Sequence, residues 1–364
     1  MTLLQQILRA AVDNGASDVH LKPDQVPVFR IHGELTDADT TPLTGDQIAQ
    51  MGDHILPPHA AQAFEINHEA DFSYDDPDIG RFRVNYFMAQ GRPCVVMRHV
   101  KTEVPDFESL RLPENLKDLA DVHRGIILVC GTTGSGKSTT LAALVDEINR
   151  RHRHRIITIE DPIEYLFTDK QSMITQREVG IDTMSYQEAL VHLMRQDPDV
   201  VLIGEMRDQA SIRTALLAAQ TGHLVLSSLH ATTSSMAIPR MLDMFSPDER
   251  EQVRHSIALS QQAVVTQRML RDVKNEYIPA VEIMINTPTV RKLIETDRLD
   301  VLEAAIETGA EDGMQTFNHS IYEMIKSGLV TEEQGMQFAT NPESLKMNLK
   351  GIFLDEGKRI LSDL

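Results

Sequence analysis

A glycine-rich segment in the first half of the chain restricts the possible folds more than any other feature. Residues 131–138 read Gly-Thr-Thr-Gly-Ser-Gly-Lys-Ser and fit the pattern G-x-x-x-x-G-K-[ST]. An apolar run, residues 125–130, precedes the segment, and residues 139–144 have a helical pattern. Strand, glycine-rich turn and helix start are the setting in which backbone N–H groups close around phosphate oxygens. A chance match in a Gly/Ser-rich turn is the alternative, and the two flanks argue against it.

The pattern predicts a role for individual residues of this loop. The Lys137 ammonium can reach the β- and γ-phosphates of a nucleoside triphosphate, and the Ser138 hydroxyl is the predicted ligand of Mg²⁺. The predicted phosphate contacts are Gly131, Thr132, Thr133, Gly134, Ser135, Gly136, Lys137, Ser138 and Thr139.

Length and composition exclude several classes of protein. A chain of 364 residues predicts two domains of ordinary size. No window approaches 18 consecutive apolar residues, so we expect no transmembrane helix, and the N-terminal residues do not resemble a signal peptide. A formal net charge of -19 argues against a protein that coats nucleic acid. Cys94 and Cys130 lack metal-ligand spacing, and we expect buried thiols in a reducing cytosol.

The first hundred residues predict a small α+β domain with an antiparallel sheet. Segments of alternating apolar and polar residues indicate half-buried strands, with a hairpin at Gly33 and a helical stretch over residues 45–64. The predicted strands are 18–22, 28–32, 70–74, 81–87 and 95–100.

From Gly125 the pattern changes to near-continuous apolar strands separated by helices, which is typical of an α/β domain with a parallel sheet. The predicted strands are 126–130, 155–159, 200–203 and 224–228, and predicted helices cover 289–295 and 316–327. The predicted organisation is an N-terminal domain (1–101), a linker and start of the core (102–124), a core (125–288) and a helical region (289–364), whose last residues, 341–364, are expected to dock as a helix.

Three polar residues follow predicted core strands, at the edge where open α/β sheets bind ligands. Glu160 and Glu205 are candidates for orienting water, and His230 is a candidate hydrogen-bond donor to a γ-phosphate. Gly204 occupies the position where many phosphate-loop enzymes have an aspartate, so Glu205 is expected to act on water rather than directly on the metal. The alternative for Glu160 is a turn acid that caps a helix, and the alternative for Glu205 is a solvent-facing carboxylate. The alternative for His230 is a structural histidine.

These segments, in this order and spacing, resemble the secretion ATPase superfamily, and nearly the whole chain is similar to PilT/PilU-like type IV pilus retraction ATPases. The resemblance identifies residues 131–138 as Walker A, 158–164 as the Asp box, 200–205 as an atypical Walker B and 222–230 as the His box. It implies a PAS-like N-terminal domain, a RecA-like domain that binds ATP and Mg²⁺, and a hexameric ring.

The resemblance also implies that arginines complete each nucleotide site. Arg81, Arg83 and Arg98 of the N-terminal domain lie where the family supplies these cations, and Arg195 is a further candidate near the subunit interface. Each of the three alone is also compatible with an ordinary arginine on a sheet surface.

The cysteine count bears on the subfamily. Pilus-assembly and type II secretion ATPases usually carry a tetracysteine zinc element, which two distant cysteines cannot form. The resemblance therefore favours an ATP-driven retraction motor, cytoplasmic and peripheral to the inner membrane at the pilus base. Its implied partners are a PilC-like platform protein and, as an alternative arrangement, a second PilT/PilU-like ATPase.

Two other functions stay open at this point. The family's C-terminal retraction motif, Ala-Ile-Arg-Asn-Leu-Ile-Arg-Glu, is only approximately matched by residues 289–295. The first alternative is therefore an accessory ring subunit with little ATP turnover. The second is a pilus-assembly or type II secretion ATPase. A motor that moves nucleic acid fits poorly with the acidic charge.

Overall fold

A computed structural model of the chain describes residues 1–31, 33–100 and 103–353. The described chain forms two compact units. The first comprises Met1–Glu103 and Ile163–Leu166, and the second begins at Val104 and contains the remaining residues. Lys101 and Thr102, at the predicted start of the linker, fall outside the described residues, and the predicted organisation into four segments stays a prediction.

The first unit is built on an antiparallel sheet. Its strands are β1 (Ala16–Leu21), β2 (Val28–Ile31), β3 (Glu34–Asp37), β4 (Glu69–Asp76), β5 (Gly80–Ala89) and β6 (Arg92–His99). They lie in the order β3-β2-β1-β6-β5-β4, and each neighbouring pair is antiparallel. The helices are α1 (Leu3–Asp13), α2 (Gly45–Ile55) and α3 (Pro58–Asn67). The small α+β domain expected from the sequence is therefore present.

The predicted helical stretch over residues 45–64 is two helices. The break lies at Leu56 and Pro57, which both have extended backbone conformations between α2 and α3. A proline disfavours the helical conformation of the residue before it, so Pro57 ends the first helix, and Pro58 suits the first turn of the next.

The second unit contains a mostly parallel sheet. Its strands are β7 (Gly125–Gly131), β8 (Arg155–Glu160), β9 (Met173–Glu178), β10 (Val200–Ile203), β11 (Leu224–Leu229), β12 (Gln261–Arg271) and β13 (Tyr277–Ile285). Their order is β13-β12-β7-β11-β10-β8-β9. The strands pair in parallel, except that β13 runs antiparallel to β12 at one edge. The four predicted core strands and the α/β fold with a mostly parallel sheet are confirmed, and β13 adds an antiparallel strand at one edge.

Both faces of the central strands are buried, which explains their continuous apolar sequences. Along β7, Ile126, Leu128 and Cys130 belong to one apolar core, whereas Ile127 and Val129 belong to another. Successive side chains of a strand point to opposite faces, so a strand between two layers of helices needs apolar residues at every position.

Ten helices surround and extend this sheet in the described part of the chain. They are α4 (Lys137–Arg151), α5 (Tyr186–Leu193), α6 (Gln209–Gln220), α7 (Ser234–Leu242), α8 (Pro247–Ser260), α9 (Pro288–Glu295), α10 (Leu302–Thr308), α11 (Phe317–Lys326), α12 (Glu332–Phe338) and α13 (Pro342–Leu349), with short 3₁₀ segments at Glu114–Asp121, Leu299–Val301 and Ala310–Asp312. Within the described residues, none of the helices combines the length and the apolar composition that crossing a bilayer requires.

The C-terminal helices have an apolar core of their own on the β12–β13 hairpin. Leu270 and Ile278 of the hairpin pack with Phe317 and Ile321 of α11 and with Leu345 of α13. The predicted helices 289–295 and 316–327 are confirmed as α9 and α11, and α13 is the expected docked helix of the tail. Residues 354–364 of that tail lie outside the described residues.

Candidate active site

Four parallel strands of the second unit end at one edge of the sheet. The register pairs Cys130 of β7 with Leu229 of β11, and it pairs Ile203 of β10 with Ser227 of β11 and Ile159 of β8. Each of these strands is followed directly by one of the candidate segments. The topology therefore gathers the four segments at the carboxyl edge, as expected for a ligand site in an α/β sheet.

The glycine-rich loop connects β7 to α4, and its first residue has no room for a side chain. Gly131 has a φ of 143°, and a Cβ there would lie 2.3 Å from Ser135 Oγ and 2.7 Å from the carbonyl oxygen of Gln267. The loop thus folds tightly against its own residues and against β12. Its N–H groups and the start of α4 form the type of site that binds phosphate.

Lys137 and Ser138 lie in the first turn of α4. Lys137 Nζ donates hydrogen bonds to the carbonyl oxygens of Gly131 at 3.1 Å and Thr132 at 3.0 Å, so the ammonium lies over the loop. Burial lowers the pKa of Lys137, and the carboxylate of Glu205 partly opposes this shift. The Ser138 side chain is exposed, and its hydroxyl is accessible to a metal ion.

Glu160 is the last residue of β8, and its side chain is buried. One carboxylate oxygen, Oε1, accepts hydrogen bonds from Thr158 Oγ1 at 2.6 Å and Gln176 Nε2 at 3.3 Å. Thr158 lies on β8 itself and Gln176 lies on the neighbouring strand β9, so the sheet fixes the position of this carboxylate. A buried carboxylate held in this way is suited to orienting a water molecule.

Glu205 is held between two cationic or hydrogen-bonding side chains. Its Oε1 lies 2.9 Å from His230 Nε2, and its Oε2 accepts a hydrogen bond of 2.6 Å from Arg207 Nε. Arg207 also lies 3.4 Å from Asp161 Oδ2. The hydrogen bond to Glu205 raises the pKa of Arg207. The structure therefore brings Glu205 and His230 together, and it adds Arg207 and Asp161 to them.

Gly204 stands next to a partly buried tyrosine, which explains why no aspartate occupies this position. A Cβ on Gly204 would lie 2.8 Å from Tyr186 Oη and 3.4 Å from the carbonyl oxygen of Ile159. Burial raises the pKa of Tyr186, and the nearby Asp161 adds to the effect. Tyr186 thus fills the space that an aspartate side chain would need, and the carboxylate of the segment comes from Glu205.

Comparison with known families identifies the chain. A family model described as "Type II/IV secretion system protein" matches residues 1–337. The chain belongs to this family. The segments at the carboxyl edge are therefore those of a secretion-system family member.

Curated relatives in the secretion-system family include proteins of type IV pili. The chain is 39% identical to the type IV pilus retraction ATPase PilT of Pseudomonas aeruginosa, over 94% of this chain and 99% of that protein. It is 38% identical to a twitching motility protein of Neisseria gonorrhoeae, over 88% of this chain and 86% of that protein. The type IV pilus ATPase PilU of Pseudomonas aeruginosa is 35% identical, over 95% and 91%.

Solved structures of similar proteins agree with the fold. A crystal structure of the pilus retraction motor PilT with bound ADP matches with a TM-score of 0.88 at 38% identity, covering 95% of this chain and 99% of that one. The ATPase DotB of Legionella pneumophila matches with a TM-score of 0.76 at 22% identity, covering 92% and 94%. The second similarity supports the fold alone.

The arginines expected from the secretion-system family lie elsewhere in the chain. Arg81 and Arg83 are on β5, and Arg98 faces Arg83 from β6, all in the first unit. Arg81 lies 3.5 Å from Asp75, and Arg98 donates a 2.8 Å hydrogen bond to Asp18. Burial acts to raise the pKa of Asp18, but hydrogen bonds from Ser17 and Arg98 outweigh it and lower the pKa.

Arg195 lies at the opposite edge of the sheet from the phosphate loop of its own chain. It follows α5 and is exposed, and the next residue, Gln196, accepts a 2.9 Å hydrogen bond from Arg155 at the start of β8. The structure does not bring Arg195 to the site of the same subunit. A contribution to a neighbouring subunit stays a prediction.

Arg207 and Tyr186 are site residues that sequence reasoning missed. Arg207 is only two positions beyond Glu205, so its closeness along the chain was an available signal. Tyr186 comes from α5, outside the four segments, and its contact with Gly204 depends on how that helix packs. No local pattern in the sequence indicates this second contact.

Proposed function

We propose that this ATPase is the motor of a type IV pilus and that it powers pilus retraction. The observation that carries the proposal is the pairing of Glu205 with His230 at 2.9 Å, beside a complete phosphate loop. Its similarity to the PilT retraction ATPase extends over 94% of the chain and supports the choice of pilus system.

ATP binds in the loop between β7 and α4. The Lys137 ammonium leaves the carbonyl oxygens of Gly131 and Thr132 and pairs with the β- and γ-phosphates. Ser138 offers an exposed hydroxyl, and such an oxygen donor is a ligand that Mg²⁺ accepts beside the phosphates. When bound, Mg²⁺ neutralises part of the charge on the β- and γ-phosphates.

The residues at the carboxyl edge prepare a water molecule for attack on the γ-phosphate. Glu205 and Glu160 accept hydrogen bonds from this water and orient it, and Arg207 and Thr158 hold the two carboxylates in place. His230 donates a hydrogen bond to the γ-phosphate, so its contact with Glu205 depends on whether the triphosphate is bound. ATP and water give ADP and inorganic phosphate.

The remaining positive charge comes from a neighbouring subunit of a hexameric ring. Arg81, Arg83, Arg98 and Arg195 are the candidates, and an arginine supplied by a neighbour can raise the rate about a thousandfold or more. Because such a site joins two protomers, nucleotide turnover moves one part of the ring against another. The ring sits on the cytoplasmic side of the inner membrane and acts on a platform protein similar to PilC.

A PilU-like accessory subunit is the second candidate function. The chain is 35% identical to PilU over 95% of its length, and α9 departs from the family's retraction motif. An assembly or type II secretion ATPase is disfavoured, because the two cysteines, both buried, cannot form a tetracysteine zinc site.

The biochemical test of the site is the Lys137→Ala variant. Wild-type protein should hydrolyse ATP, and Lys137→Ala should reduce the rate at least about a hundredfold because the phosphates lose their cation. Lys274→Ala, which changes an exposed lysine on the β12–β13 hairpin, is the matched control and should keep full activity. Undiminished turnover in Lys137→Ala contradicts the site.

The cellular test separates retraction from the other functions. Deletion of the gene should give cells with excess pili and no twitching, and Lys137→Ala should not restore movement. Cells without pili indicate an assembly motor and refute the proposal. Normal retraction in cells that carry Glu205→Gln supports the accessory function instead.

A further inference from the structure

One half-buried arginine of β12 connects three separate parts of the second unit. Arg268 donates hydrogen bonds to the carbonyl oxygen of Phe338, the last residue of α12, at 2.7 Å and to Thr340 Oγ1, between α12 and α13, at 3.1 Å. It also donates to the carbonyl oxygen of Thr232 at 3.4 Å, two residues beyond His230. Its guanidinium lies 3.9 Å from the centre of the Phe317 ring at the start of α11.

Arg268 lies close to the phosphate loop along its own strand. The preceding residue, Gln267, pairs in register with Gly131, and its side chain donates a 2.9 Å hydrogen bond to Thr140 of α4. Successive residues of a strand point to opposite faces. Gln267 therefore contacts the loop and α4 on one face of the sheet, and Arg268 contacts the His230 segment and the C-terminal helices on the other.

The segment from His230 to Ser234 is held at several points. Glu205 contacts His230, and the buried carboxylate of Glu282 on β13 accepts a 2.6 Å hydrogen bond from the backbone N–H of Ser234. Ser234 Oγ lies 2.9 Å from Thr266 Oγ1 of β12. Arg268 supplies the contact in the middle of the segment, and it also reaches the α12–α13 connection.

Of the two charged groups around this segment, Glu282 is buried and Arg268 is half-buried. Burial lowers the pKa of Arg268 and raises the pKa of Glu282. A buried charge is costly unless hydrogen bonds compensate for it, and a hydrophobic residue of similar volume would avoid that cost. The chain nevertheless places a guanidinium here, and its planar fork reaches Phe338 and Thr340 through Nη1 and Thr232 through Nη2.

We propose that Arg268 is a positioning residue that holds the His230 segment in place and couples it to the C-terminal helices. Movement of the α12–α13 connection is then transmitted to His230 through one guanidinium, and changes at the γ-phosphate are transmitted in the opposite direction. This inference rests on the proposed role of His230 in the ATPase site.

The test compares Arg268→Lys with Arg271→Lys in the full-length protein. Arg271 lies on the same strand, stacks on Tyr277 at 3.7 Å and donates to the carbonyl oxygen of Asn275, but it contacts neither the His230 segment nor the C-terminal helices through any hydrogen bond of the described chain. We expect Arg268→Lys to lower kcat about tenfold with KM for ATP unchanged within about twofold, because charge-assisted hydrogen bonds to the segment are lost. Arg271→Lys should keep kcat within about twofold.

Thr340→Val tests the C-terminal half of the link and does not depend on the folding of Arg268→Lys. The substitution removes the hydroxyl acceptor at an exposed position and should lower kcat about threefold. Added to Arg268→Lys, it should cause no further loss, because both changes break the same link. Each of three results would overturn the inference. The first is a wild-type kcat in Thr340→Val, and the second is a double variant whose loss equals the product of the two single losses. The third is an equal effect of Arg268→Lys and Arg271→Lys. Absence of ATPase activity in the wild type would instead refute the proposed function.

Discussion

The ammonium of Lys137 is the charge on which nucleotide binding depends most directly. Burial lowers its pKa below the ordinary lysine value of 10.5, with Glu205 opposing the shift. A bound triphosphate favours the charged ammonium and raises this pKa again. The free protein therefore loses the proton at a lower pH than the ATP complex does, and ATP affinity falls as the pH rises through the lowered pKa.

This charge state gives the first prediction. KM for ATP should rise on the alkaline side of a pH profile in the wild type. In Lys137→Arg the guanidinium stays charged, so KM should stay flat over the same range, whatever its absolute value. Steady-state kinetics from neutral to alkaline pH measure both profiles. An equal alkaline rise in the two proteins would assign the titration to another group.

Gly204 gives a second prediction at the residue scale. Gly204→Ala brings a methyl group to 2.8 Å from Tyr186 Oη, so the backbone beside Glu205 or the α5 helix has to shift. We expect a loss of about 1 to 3 kcal/mol in the free energy of unfolding and a lower kcat. Tyr186→Phe removes the clashing oxygen and should restore part of both in the double variant. Denaturant unfolding and ATPase assays measure these effects, and a double variant no better than Gly204→Ala would exclude this contact as the cause.

At the scale of elements, the short helix α13 depends on one leucine. Leu345 has no exposed surface and packs with α11 and the β12–β13 hairpin. Leu345→Ala should cost about 2 to 5 kcal/mol of unfolding free energy and increase hydrogen exchange in α11 and α13. Leu217→Ala on α6, whose side chain is 54% exposed, is the control and should change stability by about 0.5 kcal/mol or less. A similar loss in both variants would mean that α13 adds no specific stability.

The elements that the sequence predicts are those whose surroundings are uniform. Strands β7, β10 and β11 lie between two apolar layers, so most of their positions carry apolar residues and the run can be recognised. Strand β12 is different, because it buries Gln261 and Gln267, whose Nε2 groups donate hydrogen bonds to Ile126 and Thr140 in other elements. These partners are distant along the chain, and no local pattern indicates them, so β12 and its hairpin partner β13 were missed.

The site shows the same division between local and long-range information. Glu205 and His230 follow adjacent strands, and the order of those strands alone brings them within 2.9 Å. Tyr186 reaches Gly204 only because α5 packs on that part of the sheet, so it could not be predicted from its own segment. Hydrogen bonds such as those of Arg268 to Phe338 and Thr340 also require the packed C-terminal helices.

At the scale of the whole molecule, the proposed hexamer predicts that active sites are shared between subunits. Lys137→Ala removes the phosphate cation of one subunit, whereas Arg83→Ala or Arg98→Ala removes a candidate cation that acts on the neighbour. Each variant alone should form rings with little activity. In rings assembled at random from equal amounts of Lys137→Ala and an arginine variant, about one quarter of the sites combine an intact lysine with an intact arginine from the adjacent subunit.

Co-expression of the two variants with different affinity tags, followed by tandem purification, gives the mixed rings for an ATPase assay. Recovery of up to about a quarter of wild-type activity with either arginine variant is expected if the arginine acts across the interface. Arg83 and Arg98 are separate trials because Arg83 is exposed, whereas Arg98 is paired with Asp18. If the arginines acted within their own subunit, no protomer in a mixed ring would have a complete site. Mixed rings as inactive as their parents for both variants would therefore exclude these two arginines as the shared cations.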